Sequence, residues 1–232
     1  MDFMHLDLED RKTDTKDKKV PEIIIYEIKD IQSHFEENKK LVLDQFPIAD
    51  ALEAKGNLAG AETIWRSQIV LLASAYDYFM HEIVWFGLFQ MYKENWGKTD
   101  KYKKLTISLS QLDEILKNPE DDNWFKEYIT PLFAKDTMMD YEALKDNLKL
   151  IGLEIREVAD CAFFQQGCKV KTIDQLKDKL NSLYFRRNRI AHQSNRSHEN
   201  AETKDISKSE VEQFVLNIDK IVEAILDVMS KH

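Results

Sequence analysis

An all-α fold is predicted by three features of this 232-residue chain. Only six glycines and four prolines are present, too few to punctuate the many turns of an all-β domain. Long stretches are rich in Leu, Ile, Glu, Lys and Ala, residues that lose little freedom in a helix. Apolar side chains recur at three- and four-residue spacing, most clearly from Ala61 to Trp96 and from Val211 to Met229. With 43% hydrophobic residues, a sizeable core is within reach. The chain reads as a single all-α domain, 21–232, behind a charged arm, 1–20.

The arm carries alternating charge through Glu9-Asp10-Arg11-Lys12-Thr13-Asp14 without a sustained period, and is expected to be solvated or disordered. Pro21 suits a helix's first turn. Ile24, Ile28, Ile31, Phe35, Leu41, Leu43 and Phe46 then predict an amphipathic helix, broken near Pro47. Gly56 and Gly60 bracket a turn. Ala61 to Trp96 is the strongest helix, with Ile64, Trp65, Ile69, Leu72, Tyr76, Phe79, Met80 and Ile83 on one face. Trp85, Phe86, Leu88, Phe89 and Met91 make its end apolar nearly all round, so it belongs in a core or a subunit interface. Within it Asp77 and His81 are four apart and share a face. A local polar pair is a simpler reading than a catalytic dyad, although Asp77, between two aromatics, is placed to orient a basic side chain from another helix.

After a lysine-rich loop, Ser108 and Ser110 are alternative N-caps for a short helix through Leu116, ended by Asn118-Pro119. Asp121 or Asp122 starts the next, with Pro131 kinking or ending it. Asp140 is an N-cap for Tyr141 to Leu150, and Gly152 stops that helix. Leu153 to Phe164 is a weaker helix. Thr172 opens a clear one, with Asp174 and Gln175 near its start in capping-box fashion. Its apolar face runs through Leu176, Leu180, Leu183 and Tyr184 and continues with Ile190 and Ala191. Gln193 to Ile206 is a polar loop, and Ser207 or Ser209 leads the last helix.

The formal net charge of -9 opposes broad nonspecific binding to nucleic acid. Cys161 and Cys168 fit no common zinc spacing, no metal site is predicted, and so few thiols suit a reducing cytosol. No uninterrupted apolar run reaches the roughly 18 to 20 residues of a membrane helix, and the amino terminus lacks a signal peptide's apolar segment. A cytoplasmic protein without a membrane role is expected.

One segment reverses the local sign of charge. Lys169, Lys171, Lys177, Lys179, Arg186, Arg187, Arg189 and Arg196 outnumber Asp174 and Asp178. The lysines are explained by solvation alone. The arginines are less easily dismissed, because a planar guanidinium binds phosphate bidentately. His192 adds a titratable base. On an ideal helix, however, Arg187 and His192 point about 140° apart. Either the helix distorts near Ile190, or two copies of the segment meet across a two-fold axis.

Arg187-Asn188-Arg189-Ile190-Ala191-His192 resembles the R-x4-6-H motif of the HEPN superfamily, and the RiboL-PSP-HEPN group is the nearest match. The helix carrying Ser67 to Phe79 is similar to the early HEPN helix, with an acidic residue among aromatics. The resemblance covers Ala61 to the carboxyl terminus and implies a HEPN-like helical bundle with additional helices. It further implies a metal-independent RNA endonuclease without a cofactor, acting as a homodimer in a toxin–antitoxin or antiviral setting, with an antitoxin protein as a further partner. In that reading His192 is general base or proton shuttle, Arg187 holds the scissile phosphate, and Asn188 orients one of these groups. Arg186, Arg189 and Arg196 hold flanking phosphates, and Asp77 orients. The product is a 2′,3′-cyclic phosphate. Some HEPN proteins extend the motif to a tyrosine two residues past the histidine; Ser194 stands here, which puts control by modification of that tyrosine in doubt. The alternative is a noncatalytic HEPN-like module that binds RNA or a partner protein.

Overall fold

The computed structural model describes residues 23–118, 121–133, 136–193 and 204–232. Among these residues the regular structure is helical: α1 (Ile28–Leu43), α2 (Phe46–Ala54), α3 (Leu58–Tyr92), α4 (Leu109–Lys117), α5 (Asn123–Phe133), α6 (Tyr141–Leu150), α7 (Ile155–Phe163), α8 (Thr172–Gln193) and α9 (Lys208–Met229). The bulk of the charged arm lies outside the described residues.

Several helix starts follow from capping. Ser108 and Gln111 form a reciprocal capping box at α4: the Ser108 hydroxyl accepts from the Gln111 N–H, and the Gln111 amide oxygen accepts from the Ser108 N–H at 2.8 Å. Asp140 accepts from the Ala143 N–H at 2.8 Å to start α6, and Ser207 accepts from the Glu210 N–H to start α9. Pro47 sits in the first turn of α2, where its missing N–H costs nothing, so the break expected near it occurs.

Three local expectations are corrected. The chain is extended rather than helical before Ile28, with Glu27 as N-cap. Gly60 lies inside the first turn of α3, its N–H taken by Asn57, so that helix begins before Ala61 and ends at Tyr92. At α8, Thr172 donates to Asp160 instead of capping, and Gln175 reaches back to the Val170 carbonyl.

The 35-residue α3 is the axis of the fold. It packs against α1 and α2 on one side and against α5, α6, α8 and α9 around the rest, while α7 fills the angle between α8 and α9. That arrangement explains its nearly all-round hydrophobicity: Tyr76, Phe79, Met80, Ile83, Leu88 and Met91 are fully buried within the chain itself. By length and composition α3 is apolar enough to cross a membrane, but most of it is buried inside the fold, as a core helix is. Gly87 lets α3 and the end of α6 touch, since a Cβ there would lie 2.7 Å from the Ile151 Cβ.

Candidate active site

Helix α8 presents Tyr184, Arg187, Asn188 and His192 to a cleft of about 370 Å³. The opposite wall is Asp77 and His81 on α3, and the rim is Asp136 and Thr137 from the segment between α5 and α6. The expected obstacle does not arise. Helix α8 stays helical from Thr172 to Gln193, yet Arg187 and His192 share this cleft within one chain. Asn188 resolves the geometry. It stands about 40° around the helix from His192 and about 100° from Arg187, between the two. The long Arg187 side chain bends over it, Nη1 donating to Asn188 Oδ1 at 3.0 Å. A residue at the middle azimuth and a reaching guanidinium close the gap, so neither distortion at Ile190 nor a second chain is needed to gather these three.

On the α3 side, Asp77 is held at one oxygen and open at the other. Its Oδ1 accepts from the Met138 N–H at 2.7 Å, which fixes the approach to α6. Its Oδ2 lies 3.9 Å from His81 Nε2. Among the described residues the buried Nδ1 of His81 has no hydrogen-bond partner, and its ring packs near Trp85. Directly behind, burial and then the Asp77 and Asp140 carboxylates push the Tyr76 hydroxyl far above its usual range, so it stays neutral. Asp77 and His81 thus bring a carboxylate and a second imidazole to the cleft.

The other arginines separate. Arg186 is 7% exposed and faces inward. Its Nε lies 3.0 Å from Glu210 Oε1, and its Nη2 donates to the Asp205 carbonyl at 2.5 Å. It fastens α8 to the start of α9, and the expectation that it holds a flanking phosphate is corrected: its charge is spent inside the fold. Arg189 is half-buried and is not among the side chains that line the cleft. Arg196 and Ser194 lie outside the described residues. Lys177 and Lys179 approach Glu142 and Asp178, as ordinary surface lysines do. Among the described residues no group of three or more His, Cys, Asp or Glu side chains is placed to hold a metal ion.

His81, Asp136 and Thr137 are cleft residues that sequence reasoning did not assign to the site. The four-residue spacing from Asp77 signals His81. No pattern signals Asp136 or Thr137, which reach the cleft through the path of a loop.

Two central helices that carry an Arg-Asn-x3-His stripe opposite an Asp-x3-His pair define an all-α domain of the HEPN class. A family model described as RiboL-PSP-HEPN matches residues 21–231, and the chain belongs to that family. The match takes in α1 and α2, beyond the part that the motif and the α3 segment resemble. No curated protein sequence and no solved structure matches the chain.

Proposed function

We propose that this protein is a metal-independent RNA endonuclease that attacks with the ribose 2′-hydroxyl and leaves a 2′,3′-cyclic phosphate. The observation that carries the reading is the convergence of Arg187, Asn188 and His192 with Asp77 and His81 on one cleft. RNA supplies its own nucleophile, the 2′-hydroxyl. The enzyme must take a proton from it, stabilise the charge that grows on the phosphate, and return a proton to the leaving 5′-oxygen. His192, exposed at the last turn of α8, takes the first proton. Arg187, with Asn188 setting its position, holds the phosphate and stabilises the transition state. The 2′-oxygen–phosphorus bond forms as the phosphorus–5′-oxygen bond breaks, and His81, beside Asp77, protonates the departing oxygen. No metal or cofactor takes part.

The working unit is a homodimer. Among the described residues Arg187 is the one permanent cation on the cleft wall, while Asp77 and Asp136 face it. A single guanidinium is a small anchor for a polyanion, and pairing two clefts across a two-fold axis doubles it. Exposed Phe185, beside the motif on α8, supplies apolar surface for such a contact. A toxin–antitoxin or antiviral role in the cytoplasm, with an antitoxin protein as partner, fits a metal-free nuclease that must be held in check.

The test is cleavage of single-stranded RNA in EDTA. The purified protein cuts, and His192→Ala abolishes cutting without loss of fold. Cutting that survives the substitution removes His192 from the mechanism. One observation favours a second reading: Arg186 is committed to Glu210, and Arg189 is away from the cleft, which leaves few cations for substrate. A noncatalytic HEPN module would bind RNA or a partner in a salt-sensitive way, lose binding on Arg187→Ala, and show no turnover.

A further inference from the structure

A second cleft of about 370 Å³ opens between α1 and α3, lined by His34, Glu37, Asn38, Ser74 and Tyr78 together with Leu41 and Leu71. Behind its wall lies Glu82, only 3% exposed. Both Glu82 oxygens meet His34 Nδ1, at 2.9 and 3.2 Å, and the Tyr78 side chain lies near the same carboxylate. The Tyr26 ring braces the imidazole edge-on at 4.6 Å. Burial raises the pKa of Glu82, while the nearby His34 and Tyr78 side chains oppose that rise. A buried carboxylate is a costly way to join two helices. Here it does more, because His34, which it holds, and the neighbouring Tyr78 also form the wall of an open cleft. That is the supporting shell of a pre-organised site.

The lining selects the ligand. Tyr78, 45% exposed, offers a ring face, and Leu41 and Leu71 offer apolar walls. Glu37, Asn38 and Ser74 offer polar edges, and the imidazole of His34, engaged through Nδ1, meets a ligand through its other edge. Among the described residues no lysine or arginine lines the cleft and a carboxylate does, so phosphate is disfavoured and a flat group rich in N–H donors is favoured. A nucleobase has this character, and guanine has it most, since its N1–H and N2 amino group lie side by side and match a carboxylate. The cleft's position agrees. Tyr78 follows Asp77 about 100° around α3, so the two clefts open on neighbouring faces of that helix and adjoin at the Asp77–Tyr78 step.

We propose that the α1–α3 cleft is a base-recognition subsite that takes a guanine of the RNA, stacked on Tyr78 and paired by Glu37, while its strand continues to the Arg187 cleft. The proposal rests on the RNA reading above. The test uses the full-length protein and fluorescent 2′-O-methyl oligouridylates of one length, which resist 2′-oxygen attack. One is all uridine, and the others carry a central guanosine, inosine or adenosine. Anisotropy should show the guanosine oligomer binding about tenfold tighter than the all-uridine one, with inosine losing most of the gain because it lacks the amino group. Glu37→Gln should abolish the preference, and Tyr78→Ala should reduce binding of the guanosine oligomer, with melting curves confirming that both variants fold. Equal binding of all four oligomers overturns the subsite and leaves the RNA reading standing; His34 and Glu82 then only join α1 to α3. A guanosine preference that survives both substitutions places base recognition elsewhere and also overturns the subsite. Failure to bind any oligomer overturns both readings.

Discussion

Arg186 offers a sharp test of how the arginines of α8 divide their work. Arg186→Met keeps the stem and deletes the charge. The side chain is 7% exposed and makes a 3.0 Å ion pair to Glu210 and a 2.5 Å hydrogen bond to the Asp205 carbonyl. Hydrogen bonds to charged groups contribute about 1.5–3 kcal/mol each. Glu210 is about one-third exposed, so solvent recovers part of its loss. A net cost of about 2–3 kcal/mol follows. For a chain of this size that lowers Tm by roughly 5–10 °C. Circular-dichroism melts measure the stability, and RNA anisotropy across a salt series measures the phosphate contacts. The expected result is a lower Tm with the salt dependence of RNA binding unchanged. An unchanged Tm, with the slope of log affinity against log salt reduced by about 1, would mean that Arg186 holds a phosphate and that its inward placement is wrong.

Other substitutions probe the remaining contacts. Gly87→Ala should destabilise by about 1–3 kcal/mol, because the new methyl meets the Ile151 Cβ rather than a movable side-chain end, and urea unfolding measures it. His81→Ala should slow cleavage about 10²–10⁴-fold in a quenched-fluorophore RNA assay, with circular dichroism checking that the helical fold is kept. The Lys93 ammonium, 2.6 Å away, holds the Asp122 carboxyl below its usual range, with Lys126 adding to the effect. Folded Asp122 therefore binds fewer protons than unfolded. Its contribution is full above the unfolded value near 3.8 and fades as pH falls through the lower folded value. Asp122→Asn should accordingly flatten the acid limb of the stability–pH curve and leave neutral-pH function intact.

Much of the fold was legible because helix periodicity and caps are local. Asp140, Ser207, Ser108 and Pro47 act within a few residues of where they stand, and α3 declared its central place by an apolar surface that no single-sided helix needs. The starts of α1 and α3 were misjudged locally, where Glu27 and Asn57 set them, and the other errors were tertiary. Thr172 had a choice between capping its own helix and bonding Asp160 of α7, and only packing decides that. Arg186, Arg187 and Arg189 are chemically alike on paper. Rotation about α8 sends one inward to Glu210, one to the cleft and one away from it. The Arg187–His192 separation misled for a different reason. Azimuths describe where a side chain starts, and arginine is long enough to end above its neighbour Asn188.

That last point changes what a dimer can mean here, and mixing variants distinguishes the two meanings. If each chain assembles its own site, a mixed dimer of Arg187→Ala and His192→Ala chains contains no intact site. If arginine from one chain works with histidine from its partner, the same mixed dimer contains one. Co-refolding the two inactive variants and assaying RNA cleavage reads the difference directly. Light scattering establishes that dimers form, and a mixture of tagged chains shows that they exchange. The cleft gathers Arg187, Asn188 and His192 from a single α8, so no recovery of activity is expected. Recovery would show that the productive pairing crosses the two-fold axis, and that the single-chain cleft is not the catalytic arrangement.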